Sequence, residues 1–169
     1  MTSKFKLHVH DLMHKPGQMR ELELDIPLDT PMGEGAAAVP SGATVEVDLR
    51  LESVHEGILA TADVFAEATS ECSRCLEPLK LLVEVDFQEL FAYSGSSEDD
   101  LKVQNESIDL ESVIRDAVVL SLPFQPVCKP DCLGLCPECG IRLVENSDHH
   151  HEQQVDTRWS ELMKLKEEK

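Results

Sequence analysis

The sequence predicts an α+β protein: a mainly antiparallel β-sheet domain with one packed helix, followed by a cysteine-rich segment and a short C-terminal helix. Three observations support this class. Apolar and charged residues alternate through the first half of the chain, and apolar residues take helical spacing after residue 106. In addition, four of the six cysteines fall within residues 127–140. With 169 residues, 41% of them hydrophobic and only 4% aromatic, the chain can build one ordinary aliphatic core.

Alternation with a period of two predicts the strands. In RELELDIPL (20–28) and TVEVDLRLE (44–52), aliphatic side chains occupy one face and mostly acidic ones the other. LKLLVEVDFQELF (79–91) has a similar apolar face, ILATADVFAEATS (58–70) alternates less cleanly, and KFKLHV (4–9) can add an N-terminal strand. Strands with one apolar and one polar face are typical of an antiparallel sheet with one side in water.

Two stretches without periodicity divide the chain. TPMGEGAAAVPSGA (30–43) predicts a loop, and SGSSEDDLKVQNE (94–106) predicts a mobile acidic linker. We therefore expect an antiparallel β domain with a Cys-x-x-Cys hairpin over residues 1–93. Residues 107–169 would hold the helix, the cysteine-rich segment and the C-terminal helix, packed with the first part as one compact unit.

Helical spacing follows the linker. In DLESVIRDAVVLSLP (109–123), apolar residues recur three and four positions apart, with Asp109 as the expected N-cap and Pro123 as the stop. The stretch DTRWSELMKLKEEK (156–169) predicts a short closing helix that begins after Asp156.

The formal net charge of -18 limits the possible partners. Most of such a surface repels a nucleic-acid backbone, so the composition argues against an autonomous, backbone-driven binder of DNA or RNA. The locally basic stretch is 1–20, with Lys4, Lys6, Lys15 and Arg20. We interpret it as an ordinary strand and loop with solvated charge, so direct contact with RNA would be weak without another partner.

No membrane segment and no known catalytic motif can be recognised. The chain lacks an apolar run of about 18 residues and a signal-peptide core near its N-terminus, which predicts a cytoplasmic protein without a membrane partner. The zinc-deaminase order of His-x-Glu before Pro-Cys-x-x-Cys is missing, as are His-Glu-x-x-His, a phosphate-binding glycine loop and a nucleophile elbow. We therefore expect no enzymatic activity, no catalytic residues and no small-molecule substrate.

The cysteines of VCKPDCLGLCPECG (127–140) predict a metal site. In a reducing cytosol, clustered cysteines are metal ligands or redox groups more often than structural disulfides. CPECG has the form of a zinc knuckle, in which two intervening residues let both sulfurs face one ion and the glycine allows positive φ. Four thiolates would form a closed, structural zinc site, with about one ion per chain. The predicted ligands are Cys128, Cys132, Cys136 and Cys139.

Cys72 and Cys75, in ECSRCLEP (71–78), form a second pair at the tip of a predicted hairpin. A redox role is disfavoured because redox Cys-x-x-Cys motifs open a helix, whereas here a strand follows. The pair could belong to a second half-site or be purely structural. In a third arrangement, a two-knuckle ribbon, the pair would replace Cys128 and Cys132 and form the site together with Cys136 and Cys139.

The histidines of the run His149–His151 are further candidate ligands. They follow Cys139 by ten to twelve residues, so an imidazole could complete a site with Cys136 and Cys139. The alternative interpretation is a solvated polar loop, with His149 and His151 at most auxiliary ligands.

Several motifs together resemble one bacterial family. CSRCLEP, the long stretch SIDLESVIRDAVVLSLPFQPVCKPDCLGLCPECGIRL, and DTRWSELMKL are similar to the YceD family, which is named for large ribosomal RNA subunit accumulation. The resemblance runs from about Glu71 to the C-terminus. The histidine run followed by Asp-x-Arg-Trp is similar to actinobacterial members, and many other members carry cysteines at the place of His149–His151.

The resemblance implies a role in accumulating the 23S RNA of the large ribosomal subunit and supplies no catalytic residues. We therefore expect a non-enzymatic ribosome-assembly factor with structural zinc. Its partner would be a large-subunit ribosomal protein or a pre-ribosomal particle, because an acidic surface suits a basic ribosomal protein. The alternative is a thiol-based redox or metal sensor that uses the Cys72/Cys75 pair.

Overall fold

The protein is organised around one antiparallel sheet. The computed structural model describes residues 4–94, 101–146 and 148–151. In chain order the elements are β1 Lys6–His8, β2 Met19–Pro27, β3 Ala37–Ala38, β4 Thr44–Ser53, β5 Gly57–Glu71, β6 Pro78–Ala92, β7 Ser107–Asp109 and α1 Glu111–Ser121. The five-stranded sheet has the order β2-β4-β5-β3, and β6 pairs with the other edge of β5. The predicted α+β class, mostly antiparallel sheet with one helix, is confirmed.

The alternating pattern of the sequence separates the two faces of the sheet. On β4, the inward residues Val45, Val47 and Leu49 are at most 2% exposed, whereas the intervening Glu46 and Asp48 face solvent. Because side chains in a strand alternate with a period of two, this burial fixes the register against β2 and β5. The inner face is therefore apolar, and the outer face is rich in carboxylates.

Helix α1, the β1–β7 pair and the loop after β2 cover the apolar face. Helix α1 packs against β6 and buries Ile114 and Val118 in the same core cluster as the sheet. The short antiparallel pair of β1 and β7 adds Ile108, and the loop after β2 adds Met32 and Val39. A single core thus contains residues from both sides of the 94–106 stretch.

Some details differ from the sequence expectation. Part of the expected mobile linker is held in place, because the backbone N–H of Val103 donates to the carbonyl of Ala92 at 3.0 Å. The N-cap of α1 is Leu110, one residue later than expected, although the carboxylate of Asp109 accepts a hydrogen bond from the Glu111 N–H at 3.0 Å. The expected cap residue, Asp109, therefore predicted the start of the helix to within one residue.

The expected closing helix, residues 156–169, lies outside the described residues. Within the described parts of the chain, no helix combines the length and apolarity that crossing a membrane requires.

The packing of α1 leads to a stability prediction. Ile114→Ala removes a side chain that is completely buried between helix and sheet, so the free energy of unfolding should fall by about 2–5 kcal/mol. Leu120→Ala is the matched control on the same helix, because Leu120 is 83% exposed and its loss should change stability by less than about 0.5 kcal/mol. Urea titration followed by circular dichroism measures both. Equal effects of the two variants would contradict the described helix orientation.

Candidate metal centres

The tip of the β5–β6 hairpin is a Cys-x-x-Cys turn. The backbone N–H of Leu76 donates to the carbonyl of Cys72 at 2.9 Å, and the N–H of Cys72 donates to the carbonyl of Glu77 at 2.8 Å. Leu76 closes the turn with φ of 57°, a left-handed conformation that side chains with a Cβ adopt at a cost. The turn directs the Sγ atoms of Cys72 and Cys75 to the same side.

The same turn occurs again in CPECG. Here the N–H of Gly140 donates to the carbonyl of Cys136, and the N–H of Cys136 donates to the carbonyl of Ile141, both at 2.8 Å. Gly140 has φ of 73°, in the position that Leu76 occupies in the hairpin. Backbone N–H groups of Cys139 and Glu138 lower the pKa of the Cys136 thiol to about 6 against the opposing effect of burial. These N–H groups therefore stabilise a thiolate.

Four cysteines converge at the hairpin tip, and we call them the inner cluster: Cys72, Cys75, Cys128 and Cys132. Their sulfurs all lie within 4.8 Å of one another. The Sγ atoms of Cys72 and Cys132 are 3.9 Å apart, and those of Cys75 and Cys128 are 3.6 Å apart. A tetrahedral four-thiolate site with metal–sulfur bonds of about 2.3 Å has edges of about 3.8 Å. The two closest sulfur pairs therefore already match the edges of such a site, and the inner cluster could hold a metal ion.

Backbone contacts position the segment after α1 against the hairpin. The N–H of Ser73 donates to the carbonyl of Pro126 at 2.8 Å, which fixes the approach of this segment. The guanidinium of Arg74 donates to the carbonyls of Cys132, at 3.0 Å, and Pro130, at 3.3 Å. Because Arg74 lies between the two hairpin cysteines, its side chain reaches across the cluster and holds the opposing loop.

The thiols of the inner cluster differ in acidity. Burial raises the pKa of Cys72, but hydrogen bonds from the backbone N–H groups of Cys128, Arg74 and Cys75 outweigh that effect and lower the pKa to about 6. Hydrogen bonding with the Cys132 thiol, followed by burial, raises the pKa of Cys128 to about 12. Without a metal, one sulfur therefore carries the negative charge while a neighbour keeps its proton. A bound cation would displace the remaining protons.

The other two cysteines meet two histidines, and we call this group the outer cluster: Cys136, Cys139, His149 and His151. The Sγ of Cys139 is 3.1 Å from Nε2 of His149 and 3.3 Å from Nε2 of His151. His150 is not part of the group, because its Nδ1 lies 2.7 Å from the carbonyl of Asp148. The outer cluster could also hold a metal ion.

The thiols are thus grouped differently from the sequence expectation. The four closely spaced cysteines do not form one site, since Cys128 and Cys132 turn towards the hairpin and the CPECG pair turns towards the histidines. The cause is the fold: α1 delivers the first two beside the hairpin tip, where Cys72 and Cys75 supply the missing ligands. The alternative two-knuckle ribbon, which would join the hairpin pair to the CPECG pair, does not form either.

One signal for this grouping was present in the sequence. Six cysteines and the histidine run provide enough ligands for two four-coordinate sites, and CSRCL and CPECG are two copies of one turn. The spacing of the cysteines along the sequence could not show which distant segments come together in the fold. The part played by Glu138, whose carboxylate lies 3.3 Å from Nδ1 of His151, was also missed.

Comparison with known proteins places the chain in a family. The family model described as Large ribosomal RNA subunit accumulation protein YceD matches residues 60–166. The chain belongs to the YceD family. This match confirms the resemblance seen in the sequence and covers most of β5, all of β6 and α1, and both clusters.

Individual relatives of this YceD-family chain are actinobacterial and more distant bacterial proteins. It is 42% identical over 172 residues to "Uncharacterized protein Rv2926c" of Mycobacterium tuberculosis, covering 98% of this chain and 83% of the relative. It is 39% identical over 169 residues to "Uncharacterized protein ML1660" of Mycobacterium leprae, with coverage of 96% and 77%. To "Uncharacterized protein YlbN" of Bacillus subtilis it is 27% identical over 107 residues, with coverage of 60% and 62%. No solved structure matches the chain significantly.

The grouping of the thiols can be tested by metal content. Cys75→Ser and Cys128→Ser should each remove the same single ion per chain, because both sulfurs belong to the inner cluster. The double variant should lose no more than either single variant, as elemental analysis of purified protein measures. His150→Ala is the control, because His150 belongs to neither cluster and its loss should leave the metal content unchanged. Loss of a further ion in the double variant would show that the two cysteines serve different sites.

The two turns allow a reciprocal test of backbone strain. Leu76→Gly should raise the free energy of unfolding by up to about 1 kcal/mol, because glycine adopts positive φ without the steric cost and Leu76 is 55% exposed. Gly140→Ala should lower it by a similar amount, since the added Cβ meets no atom within 4 Å and the cost is the steric strain of positive φ. Thermal unfolding at fixed metal concentration measures both. Effects of the same sign would contradict the equivalence of the turns.

Proposed function

We propose that this protein is a non-enzymatic ribosome-assembly factor that supports accumulation of the 23S RNA of the large subunit. The observation that carries the proposal is membership of the YceD family, whose description names large ribosomal RNA subunit accumulation. The protein acts in the cytoplasm by binding a large-subunit ribosomal protein or a pre-ribosomal particle. Its own chemistry is structural rather than catalytic.

The inner cluster binds structural zinc. Four thiolates within 4.8 Å of one another suit a soft, tetrahedral ion, and zinc is the usual occupant of such four-cysteine sites. With all four positions taken by protein sulfurs, no position stays open for water or substrate, which supports a role in folding rather than catalysis. The ion crosslinks the segment after α1 to the sheet.

The outer face of the sheet supports a basic partner. The register places Glu23 opposite Asp48, Asp48 opposite Asp63, and Asp63 opposite Asp86, so carboxylates cross four strands in one row. Like charges directly opposite one another destabilise a sheet. Among the described residues, no cation lies within ion-pair distance of these four. A cationic partner on this face would relieve the repulsion.

The neighbouring row provides a site for individual cations. Phe65 lies half-buried on the outer face, with Glu46 directly opposite on β4 and Glu84 directly opposite on β6. A lysine or arginine side chain can stack on an aromatic ring while it pairs with adjacent carboxylates. Such a constellation favours an arginine- and lysine-rich protein segment over a phosphate backbone, which the same carboxylates repel.

The alternative function, a thiol sensor, has less support. A sensor needs an accessible thiolate that an oxidant can reach. Although its pKa is low, the Cys72 thiol is completely buried, and Cys75 is only 6% exposed. These two sulfurs are better suited to hold a permanent ion than to react with small molecules.

The partner preference can be measured by titration. Purified protein should bind basic large-subunit ribosomal proteins, and the affinity should fall as salt rises because exposed charges are screened over about 8 Å at 0.15 M ionic strength. Naked fragments of 23S RNA should bind poorly in the same salt series. Asp48→Lys combined with Asp63→Lys should weaken binding to the ribosomal proteins, mainly through slower association.

The control is Glu34→Lys combined with Glu56→Lys, which changes the net charge equally at exposed positions off the outer face. This control should keep most of the affinity. Tight binding of naked RNA without binding of ribosomal proteins would overturn the proposed partner. It would also indicate that RNA binds to the basic N-terminal stretch, through Lys4, Lys6 and Lys15.

A further inference from the structure

We infer that the outer cluster is a second zinc site, occupied together with the inner one, and that its ion exchanges with solution much more readily. The ligands are Cys136, Cys139, His149 and His151. Two ions per chain exceeds the single zinc that the spacing of the cysteines predicts. The inference does not depend on the ribosomal role of the protein.

Four ligand atoms already converge in the outer cluster. Its recorded sulfur–nitrogen distances are 3.1 and 3.3 Å, and Nε2 of His149 is 2.9 Å from Nε2 of His151. A tetrahedral zinc site with two sulfur and two nitrogen ligands has corresponding edges of about 3.6 and 3.3 Å. Cys139, His149 and His151 therefore need to separate by only a few tenths of an ångström, and the sulfur of Cys136 lies within 4.8 Å of their ligand atoms. Two imidazole nitrogens and two sulfurs brought this close need a shared cation or proton to relieve their lone-pair repulsion.

A neighbouring carboxylate orients one of the imidazoles. Oε2 of Glu138 lies 3.3 Å from Nδ1 of His151, which leaves Nε2 of the same ring facing Cys139. Carboxylates in this position fix the tautomer and orientation of metal-binding histidines and increase their basicity. Glu138 lies between the two cysteines of the turn, so one short segment supplies two ligands and a positioning residue.

The middle histidine of the run provides a natural comparison. His150 lies between His149 and His151 in the sequence, but its Nδ1 faces the carbonyl of Asp148 at 2.7 Å. Only alternate histidines of the run therefore face the cluster. A solvated polar loop would have no reason to select two of the three side chains.

Exposure distinguishes the two sites. In the inner cluster, Cys72 is fully buried and Cys132 is 7% exposed, so the ion would be shielded from water and chelators. In the outer cluster, Cys139 is exposed and the side chain of His151 is 34% exposed. A chelator can thus approach the outer ion directly and replace its ligands one at a time. Release from the outer site does not require the sheet or its core to open.

The experiment counts zinc and times its release. Untagged full-length protein purified without added metal should contain two zinc ions per chain by elemental analysis. A chromogenic chelator in excess should remove them in two phases, a fast one for the outer ion and a slow one for the inner ion. Cys139→Ser and His151→Ala should each abolish the fast phase and keep the slow one. His150→Ala, the matched control, should preserve both.

A second variant tests the positioning residue. Glu138→Ala should weaken zinc binding at the outer site by about 10-fold, the lower end of the range for such residues, while the stoichiometry at saturating zinc stays at two. An affinity unchanged in Glu138→Ala would overturn that role. Fluorescence competition with a zinc indicator measures this affinity.

The possible failures can be told apart. A single ion that Cys75→Ser removes and Cys139→Ser keeps would overturn the second site. Equal losses in His150→Ala and His151→Ala would overturn the ligand assignment, and release of both ions in one slow phase would overturn the difference in exchange. An ion that only Cys139→Ser removes would instead contradict zinc at the inner cluster, part of the proposed function, and leave the outer site standing.

Discussion

Four sulfurs that meet at the tip of one hairpin determine how the segment after α1 is attached to the sheet. Such a group is unfavourable without a cation, because burial and mutual repulsion oppose the formation of several thiolates in one place. The pKa of Cys128, which the Cys132 thiol and burial raise to about 12, reflects this conflict. A metal ion removes it, since its charge stabilises all four thiolates together and turns a set of competing groups into a crosslink.

The two Cys-x-x-Cys turns show how one local structure can serve two environments. Their backbone hydrogen bonds correspond one to one, and a residue with positive φ ends each turn. The surroundings then make the difference. The hairpin turn faces the segment from α1 and becomes buried, whereas the CPECG turn faces a histidine run at the surface.

The fold could be predicted from the sequence to a large extent, because it depends on local patterns. Alternating side chains identified the four long strands, and helical spacing identified α1 to within one or two residues. The strand predicted within KFKLHV corresponds to β1, but its pairing with β7, and that of β3 with β5, could not be foreseen, because such short strands carry no signal for their partners. The residues of both metal clusters were among the candidates, but their grouping depends on contacts between distant segments. Spacing along the chain says nothing about such contacts.

The distance along the chain between the ligands of the inner cluster affects how the protein is made. Cys75 pairs with Cys128 and Cys72 with Cys132, which lie 53 and 60 positions apart. In the chain-entropy account, a crosslink that closes a loop of this length stabilises the folded state by about 4 kcal/mol, because it reduces the conformational entropy of the unfolded chain. At a synthesis rate of about 5–20 residues per second, the hairpin cysteines wait roughly 3–12 s for their partners. During that interval they form half of a binding site, able to pair with each other or to hold an ion incompletely. If the inner cluster holds zinc as proposed, the yield of folded protein should depend on zinc supply and thiol protection while the chain is still being translated.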